Sequence, residues 1–575
     1  MFFKNSNIKQ SFFKNNIHLF ILFFITLIGL YFRVLGINKT GGFWLDEAYC
    51  CYDAEASFPF GIFNRVLHKD LHSPLYFFIL HFWMKIFGNH DITIRLLSVI
   101  FGVLLLPVLY SIGKELYSKK TGLIMAALAS VNSLLIYYSQ EVKFYSLLTL
   151  LSGLSVLFLL KIRDCCHKKY LAALTVTNLV LLYTFPLCTI FVFLEALIFF
   201  IYLCFTKKSI KLFIIAQIIT LTLYLPYLSV FLHNHTDASS SKAFIDVFWW
   251  TGFNPVSILL VIQDWFSLLP VNLIDTPLTF YNLFNINFAF IMLILIPVII
   301  YLIGIIRALK EKSFAGILFL IGFFFFITEI ILSMRGSLAL MSKYTILVLP
   351  IMIVTGGYGF SKLKSINFST FLITFLLLFS VFYLRFSPQS TSLMKREEGF
   401  RSVANILNRY NLDKTATIIM PYGGNMLYRY YNKSNLFHFD YNEILLSADN
   451  KELSKIFEPN IIKTLNKANS YDILKNYIGS PYPSKVFENY IEREIIKKTP
   501  HNKYIVLVKT RGVALYDTPV LSLVVSDSKK YKNSPLFVML ASKLNNDMLD
   551  IFDRQLIHEA VTQDGFWSVY IYKKP

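Results

Sequence analysis

Apolar stretches of about twenty residues, repeated along one chain, leave few folds open. The first runs from Ile17 to Ile37 and follows Lys4, Lys9 and Lys14. It is long enough to cross a ~30 Å hydrocarbon core. Further apolar runs fall near 92–112, 121–137, 145–162, 170–186, 188–205, 211–231, 286–307, 314–333, 337–358 and 366–386. They predict a polytopic α-helical membrane protein of about eleven spans. No small-residue cleavage site follows the first run, so it reads as an uncleaved signal anchor.

Composition excludes the soluble alternative. A chain of 575 residues has the length of several soluble domains, yet hydrophobic residues make up 55% of it and charged residues only 16%. Soluble chains carry about 25% charged residues. The net charge of +20 suits a bilayer protein near anionic lipid or phosphate. Its basic residues are dispersed and accompany no nucleic-acid module, so nucleic acid is not an expected partner. The six cysteines, at 50, 51, 165, 166, 188 and 204, form no CxxC and read as packing or incidental thiols.

Orientation turns on one short segment. Pro74 to Gly88 is apolar but contains His81 and Lys85. Fifteen helical residues reach only ~22 Å, which fits either a thin span or a helix at the interface. The positive-inside rule separates the two. With 74–88 interfacial and the N-terminus inside, the inner loops hold 18 of the 29 Lys and Arg that precede residue 395. With 74–88 spanning, every later basic loop moves outside.

The interfacial reading predicts outer loops at 38–91, 138–144 and 232–285. It divides the chain into a membrane domain, 1–386, and an extracytoplasmic domain, 387–575. The second is predicted to be α/β. Ala416–Met420, Tyr504–Val508, Leu521–Val525 and Ser568–Tyr572 read as strands, and Phe400–Tyr410 as an amphipathic helix. The expected location is a cell membrane, crossed many times.

The outer loops carry unusual polar groups. The first contains Trp44-Leu45-Asp46-Glu47-Ala48-Tyr49, then Asp53 and Glu55, then Asp70-Leu71-His72-Ser73-Pro74-Leu75-Tyr76. A carboxylate near lipid is partly desolvated, which raises its basicity and suits a general base. An ordinary solvated loop, with Trp44 and Tyr49 as interfacial anchors, reads equally from composition. The second loop, read in the stretch Tyr137 to Tyr145, pairs Glu141 with Lys143. Arg95, Arg335 and Lys343-Tyr344 also fall at outer span ends. These cations either converge on a phosphate or snorkel to headgroups. Glu195 and Glu329 lie within spans, as functional acids or as packed ones. No P-loop, GxGxxG, HExxH or GxSxG signature appears, so a cytosolic nucleotide substrate has no support. A lipid-linked phosphate donor fits chemistry on the outer face.

At these residues the chain resembles the GT-C polytopic glycosyltransferases. The likeness is to the dolichyl-phosphate-mannose protein mannosyltransferase / aminoarabinose transferase superfamily and its bacterial RgtA/B/C/D-like branch. Asp46-Glu47 resembles the family's first-loop Asp-Glu pair. His72-Ser73-Pro74-Leu75-Tyr76 is similar to a His-Pro-Pro-Leu-Tyr element, with Ser73 as a departure. Arg95-Leu96-Leu97-Ser98 resembles Arg-Leu-Pro-Ser, and Ser139-Gln140-Glu141-Val142-Lys143-Phe144-Tyr145 resembles Ser-Gln-Glu-x-Arg-x-Tyr, with Lys in place of Arg. Lys343-Tyr344 loosely resembles an Arg-Tyr pair.

The resemblance implies an inverting transfer of a sugar from a polyprenyl-phosphate carrier to an envelope glycan, lipid or protein acceptor. Asp46 is then the expected base, with Glu47 orienting the acceptor or the base. His72, Arg95, Glu141, Lys143, Tyr145, Lys343 and Tyr344 are the expected substrate-binding set, the cations holding the donor phosphate. His72 positions that phosphate or a divalent metal, the one cofactor the resemblance leaves open. The alternatives are a transporter or flippase of lipid-linked glycans, and a glycan polymerase or ligase. A transporter predicts paired inverted repeats with broken helices at the midplane, and no clear repeat is visible.

Overall fold

In lipid each backbone N–H and C=O must find its partner within the protein, so long apolar runs close into helices. A computed structural model describes residues 2–38, 42–43, 45–66, 72–164, 167–236, 258, 261–262, 264–265, 299, 301–335, 340–361, 401–409, 416–420, 438–440, 504–510, 556–561 and 567–573. Among these, six helices are long and apolar enough to cross a membrane: Asn16–Val34, Asp91–Leu116, Tyr145–Ile162, Cys188–Phe205, Lys211–Ser229 and Phe314–Met334. The chain is therefore a multi-pass membrane protein. The elements are α1 (Phe2–Val34), α2 (Leu45–Ala54), α3 (Phe60–Arg65), α4 (Leu75–Phe87), α5 (Asp91–Leu116), α6 (Lys119–Val131), α7 (Ser133–Ser139), α8 (Tyr145–Ile162), α9 (Lys168–Leu182), α10 (Cys188–Phe205), α11 (Lys211–Thr236), α12 (Phe314–Met334), α13 (Ser342–Thr345), α14 (Leu349–Ser361) and α15 (Arg401–Arg409).

The described residues differ from the expected set of about eleven spans at three runs. The run 121–137 is a broken pair, α6 and α7, bent by 60°. The run 170–186 yields a helix of only 15 residues, α9, and in the run 337–358 a 3-10 turn, Ile346–Val348, separates α13 from α14. The run 366–386 and most of 286–307 lie outside the described residues.

Segment 74–88 forms α4, a helix of 13 residues, about 20 Å long and too short for the hydrocarbon core. Pro74 starts it and Gly88, at φ 88°, ends it. Trp83 Nε1 donates to Thr93 O at 2.8 Å and the His81 ring to Ala54 O at 2.7 Å. Phe82, Ile86 and Phe87 remain exposed, as on a helix lying in an interface.

In the helical bundle α5 packs on α6 and α8, α1 lies on α5 and α6, α14 meets α6, and α12 lies between α10 and α14. Glycine sets the α5–α6 approach: a Cβ on Gly113 would lie 2.6 Å from Gly122 Cα. Small residues at such crossings let backbones touch where apolar burial supplies no drive between helices.

Contacts along the chain define two compact units. One comprises residues 1–38, 53–235 and 251–395, the other 39–52, 236–250 and 396–575. The second holds α15 and a five-stranded sheet of order β2-β1-β3-β5-β4, with β1 Ala416–Met420, β2 His438–Asp440, β3 Tyr504–Thr510, β4 Leu556–Val561 and β5 Trp567–Lys573. β1 pairs in parallel with β2 and β3, while β5 runs antiparallel to β3 and β4. Expected strand Leu521–Val525 lies outside the described residues. β2 and β4 carry no pattern that announces them. β2 has three residues, and β4 shifts register between Leu556 and His558. A bulge of that kind puts side-chain alternation out of step.

Candidate functional site

The site is built outward from the break between α6 and α7. Asn132 adopts extended backbone at φ −64° and ψ 122°, and its side chain accepts the Leu135 N–H at 3.0 Å. That caps the start of α7. The end of α6 leaves carbonyls without helical donors. Arg33 of α1 supplies donors for two of them: its guanidinium donates to Ala129 O at 3.2 Å and Ser130 O at 3.3 Å, and also to Gly29 O of its own helix at 3.0 Å. Its Nε donates to Ser139 Oγ at 3.2 Å. A cation at a helix C-terminus also meets the negative end of the helix dipole. Arg33 is fully buried, at 0% exposure.

The bend aims α7 into the turn that carries the expected site residues. Residues 139–145 are all buried. The turn is tight, with Lys143 N–H donating to Glu141 O at 2.9 Å. Gln140 Nε2 donates to Phe32 O at 3.1 Å and Leu35 O at 2.8 Å, and Ser98 Oγ donates to Glu141 O at 2.5 Å. Arg95, three residues before Ser98 on α5, donates to Ile37 O at 3.1 Å. Arg95 and Lys143 are buried, which differs from snorkelling side chains.

Ser73, the departure from the family's Pro-Pro, is also buried. Its hydroxyl donates to Leu182 O at 3.5 Å and accepts the Tyr227 hydroxyl at 3.0 Å. Leu75 N–H donates to Tyr183 O at 3.1 Å. The loop is thus tied to the end of α9 and to α11, and it carries His72 to the Phe144 ring, 5.5 Å between centroids.

Aromatic rings then connect this turn to α13. Phe144 stacks on Phe185 at 4.7 Å, and Phe185 on Tyr344 at 6.0 Å. Lys143 Nζ lies 5.8 Å from the Phe144 centroid, and Lys343 Nζ 5.4 Å from that of Tyr344. Tyr145 packs on Phe144 at 5.0 Å and on Tyr138 at 4.7 Å. His72, Lys143, Tyr145, Lys343 and Tyr344 therefore share one aromatic cluster. Glu141 lies in the same turn, and Arg95 is joined to it through α5.

Asp46 and Glu47 occupy the first turn of α2, Asp46 half-buried and Glu47 buried at 1%. Both belong to the second compact unit, the other seven to the first. Carboxylates suit a helix N-terminus, where the backbone N–H groups point outward. Among the described residues no group of three His, Cys, Asp or Glu could hold a metal ion.

Four residues escape the sequence reading. Arg33 and Asn132 had a signal, since each is a polar group inside an apolar run. Asp264 and Trp265 had none. The Asp264 carboxylate accepts the Ser342 hydroxyl, and Trp265 Nε1 donates to Thr345 Oγ1 at 3.1 Å. Burial pushes the Asp264 carboxyl up to about 7, with the Ser342 hydroxyl partly opposing it.

The two intramembrane acids differ. Glu195 accepts Ser155 Oγ at 2.7 Å in a satisfied network that includes Asn178. Glu329 is fully buried, with no hydrogen-bond partner for either oxygen among the described residues. Replacing an unsatisfied buried polar group by an apolar one of similar shape removes its desolvation cost. Glu329→Met should therefore raise the thermal midpoint in detergent, by about 1 kcal/mol of stability. A lower midpoint would mean that folding depends on the carboxyl.

Residues 71–232 match the family described as Dolichyl-phosphate-mannose-protein mannosyltransferase. No curated protein matches the chain. Among solved structures, ArnT from Cupriavidus metallidurans superposes in its apo state with TM-score 0.53 at 10% identity, over 95% of this chain and 97% of that one. ArnT bound to undecaprenyl phosphate gives 0.52 at 10% identity over the same shares. The Archaeoglobus fulgidus oligosaccharyltransferase tethered to an acceptor peptide gives 0.50 at 13% identity, over 92% and 72%. The chain thus shares the fold of ArnT and of this oligosaccharyltransferase.

Proposed function

We propose that the protein is a membrane glycosyltransferase that moves a sugar from a polyprenyl-phosphate donor to an envelope glycan, lipid or protein acceptor, on the outer face of the membrane and with inversion. One observation carries this reading: two lysines from distant parts of the chain, Lys143 and Lys343, lie beside rings of one connected aromatic cluster. Cations beside apolar rings sit in a low-dielectric setting, where charge on a phosphate is held far more strongly than in water. The similarity to a structure that holds undecaprenyl phosphate supports the donor class.

In this reading Asp46 takes the proton of the acceptor hydroxyl. The acceptor oxygen bonds to the sugar's anomeric carbon as the bond from that carbon to the phosphate oxygen breaks. The carrier leaves as polyprenyl phosphate, and Lys143, Lys343 and Arg95 stabilise the charge it keeps. Glu47 orients the acceptor or the base. Glu141 and Tyr145 shape the turn that presents Lys143, while His72 and Tyr344 line the donor's path.

Proteoliposomes given a sugar-labelled polyprenyl-phosphate donor should release the sugar to acceptor extracted from an envelope. Lys143→Met should raise the donor KM about tenfold or more, the equivalent of 1.4 kcal/mol. Movement of the donor between leaflets without transfer would replace this reading with a flippase.

A further inference from the structure

The two turns that carry Lys143 and Lys343 come from distant parts of the chain, and a specific set of hydrogen bonds joins them. Asn132 Nδ2, at the α6–α7 break, donates to Trp265 O at 3.0 Å. Trp265 Nε1 donates in turn to Thr345 Oγ1 at 3.1 Å. Its neighbour Asp264 accepts the hydroxyl of Ser342, so Lys343 sits between two pinned residues. The Trp265 ring packs on Phe326 of α12 at 4.8 Å. Asp264, Trp265, Asn132, Ser342 and Thr345 are all buried. The bonds thus run from the hinge that aims the Lys143 turn to the residues flanking Lys343.

We propose that Trp265 and Asp264 are positioning residues, holding the Lys143 turn and the Lys343 turn at the separation one lipid-linked phosphate requires. This inference rests on the reading that those lysines bind the donor phosphate. Neither residue needs to touch the donor. A buried hydroxyl or indole N–H that loses its partner seeks another, so cutting the bond frees the turn and misplaces Lys343 without removing its charge. Two cations lose their joint grip on one phosphate when their spacing drifts, because a 1 Å error in placement matters at contact distance.

The test measures binding of undecaprenyl phosphate to the full-length protein in nanodiscs, counting only folded, monodisperse material. Trp265→Phe keeps a ring against Phe326 but removes the N–H. Thr345→Val removes the acceptor, and Thr345→Ser keeps it. Asp264→Asn disturbs the Ser342 pin. We expect Trp265→Phe, Thr345→Val and Asp264→Asn each to weaken binding about five- to tenfold, with Thr345→Ser close to wild type. Trp265→Phe with Thr345→Val should be no weaker than either alone, since both cut one bond. A lowered midpoint with unchanged affinity of the folded fraction would mark a merely structural role and overturn the proposal. So would unchanged affinity in these variants while Lys143→Met and Lys343→Met lose binding, an outcome that leaves the functional reading standing. Unchanged binding in the lysine variants would remove that reading and this inference together.

Discussion

Asp46→Asn should abolish sugar transfer while leaving the protein folded. The amide keeps the shape of the side chain at the start of α2 but cannot take a proton from an acceptor hydroxyl. Loss of a general base costs about 10²- to 10⁴-fold in rate. The fall should appear in kcat at saturating donor, because in the proposed mechanism the cations rather than Asp46 hold the donor phosphate. Undecaprenyl phosphate affinity should stay near the wild-type value, which separates this variant from those at Lys143 and Lys343. Glu47→Gln should cost less, since orienting an acceptor or a base is a smaller contribution than accepting the proton. Transfer by Asp46→Asn at the wild-type rate would take Asp46 out of the chemistry.

The largest effect on stability is expected at Arg33. Its side chain donates to three carbonyls and one hydroxyl and is shielded from solvent. Arg33→Leu would orphan the Ala129 and Ser130 carbonyls at the end of α6 and open space beside α1. Each unsatisfied buried acceptor costs about 1–3 kcal/mol, so a total of about 3 kcal/mol or more is expected. Arg33→Lys restores at most part of this, because a single ammonium cannot reproduce the guanidinium fork. Gly102→Ala should act in the same direction, since its Cβ would lie 2.9 Å from Arg33 Nε. Thermal unfolding in detergent reads all three. A midpoint for Arg33→Leu equal to wild type would show that the bend holds without its cap.

Much of the bundle was legible because a bilayer imposes length and apolarity on each span. The boundaries at Asp91, Tyr145, Cys188 and Phe314 fall within a few residues of the apolar runs. The short segment 74–88 was recognised by length and charge pattern, and it forms a helix of 13 residues. The break at Asn132 was not seen, because one polar residue in an apolar run fits a straight span as well as a capped joint. The fold supplies the difference through Arg33, which is 99 residues away from Asn132 in sequence. Lys143 and Lys343 were singled out as cations at outer span ends, but their link through Phe144, Phe185 and Tyr344 was hidden. In a chain with 56 Phe and 34 Tyr, no single ring stands out until the packing selects it. Asp264 and Trp265 fall in the stretch 232–285, whose sequence shows no clear apolar period, so only tertiary contact gives them meaning. The sheet followed the same logic: long strands with alternation were visible, while the three-residue β2 and the bulged β4 were not.

The proposed chemistry depends on two ammonium groups gripping one lipid headgroup. A structure of the protein with undecaprenyl phosphate, solved in nanodiscs by electron cryomicroscopy, measures this directly. The expected result is a phosphate within about 4 Å of Lys143 Nζ and Lys343 Nζ, the range of a close ion pair. A phosphate bound away from both lysines would contradict it.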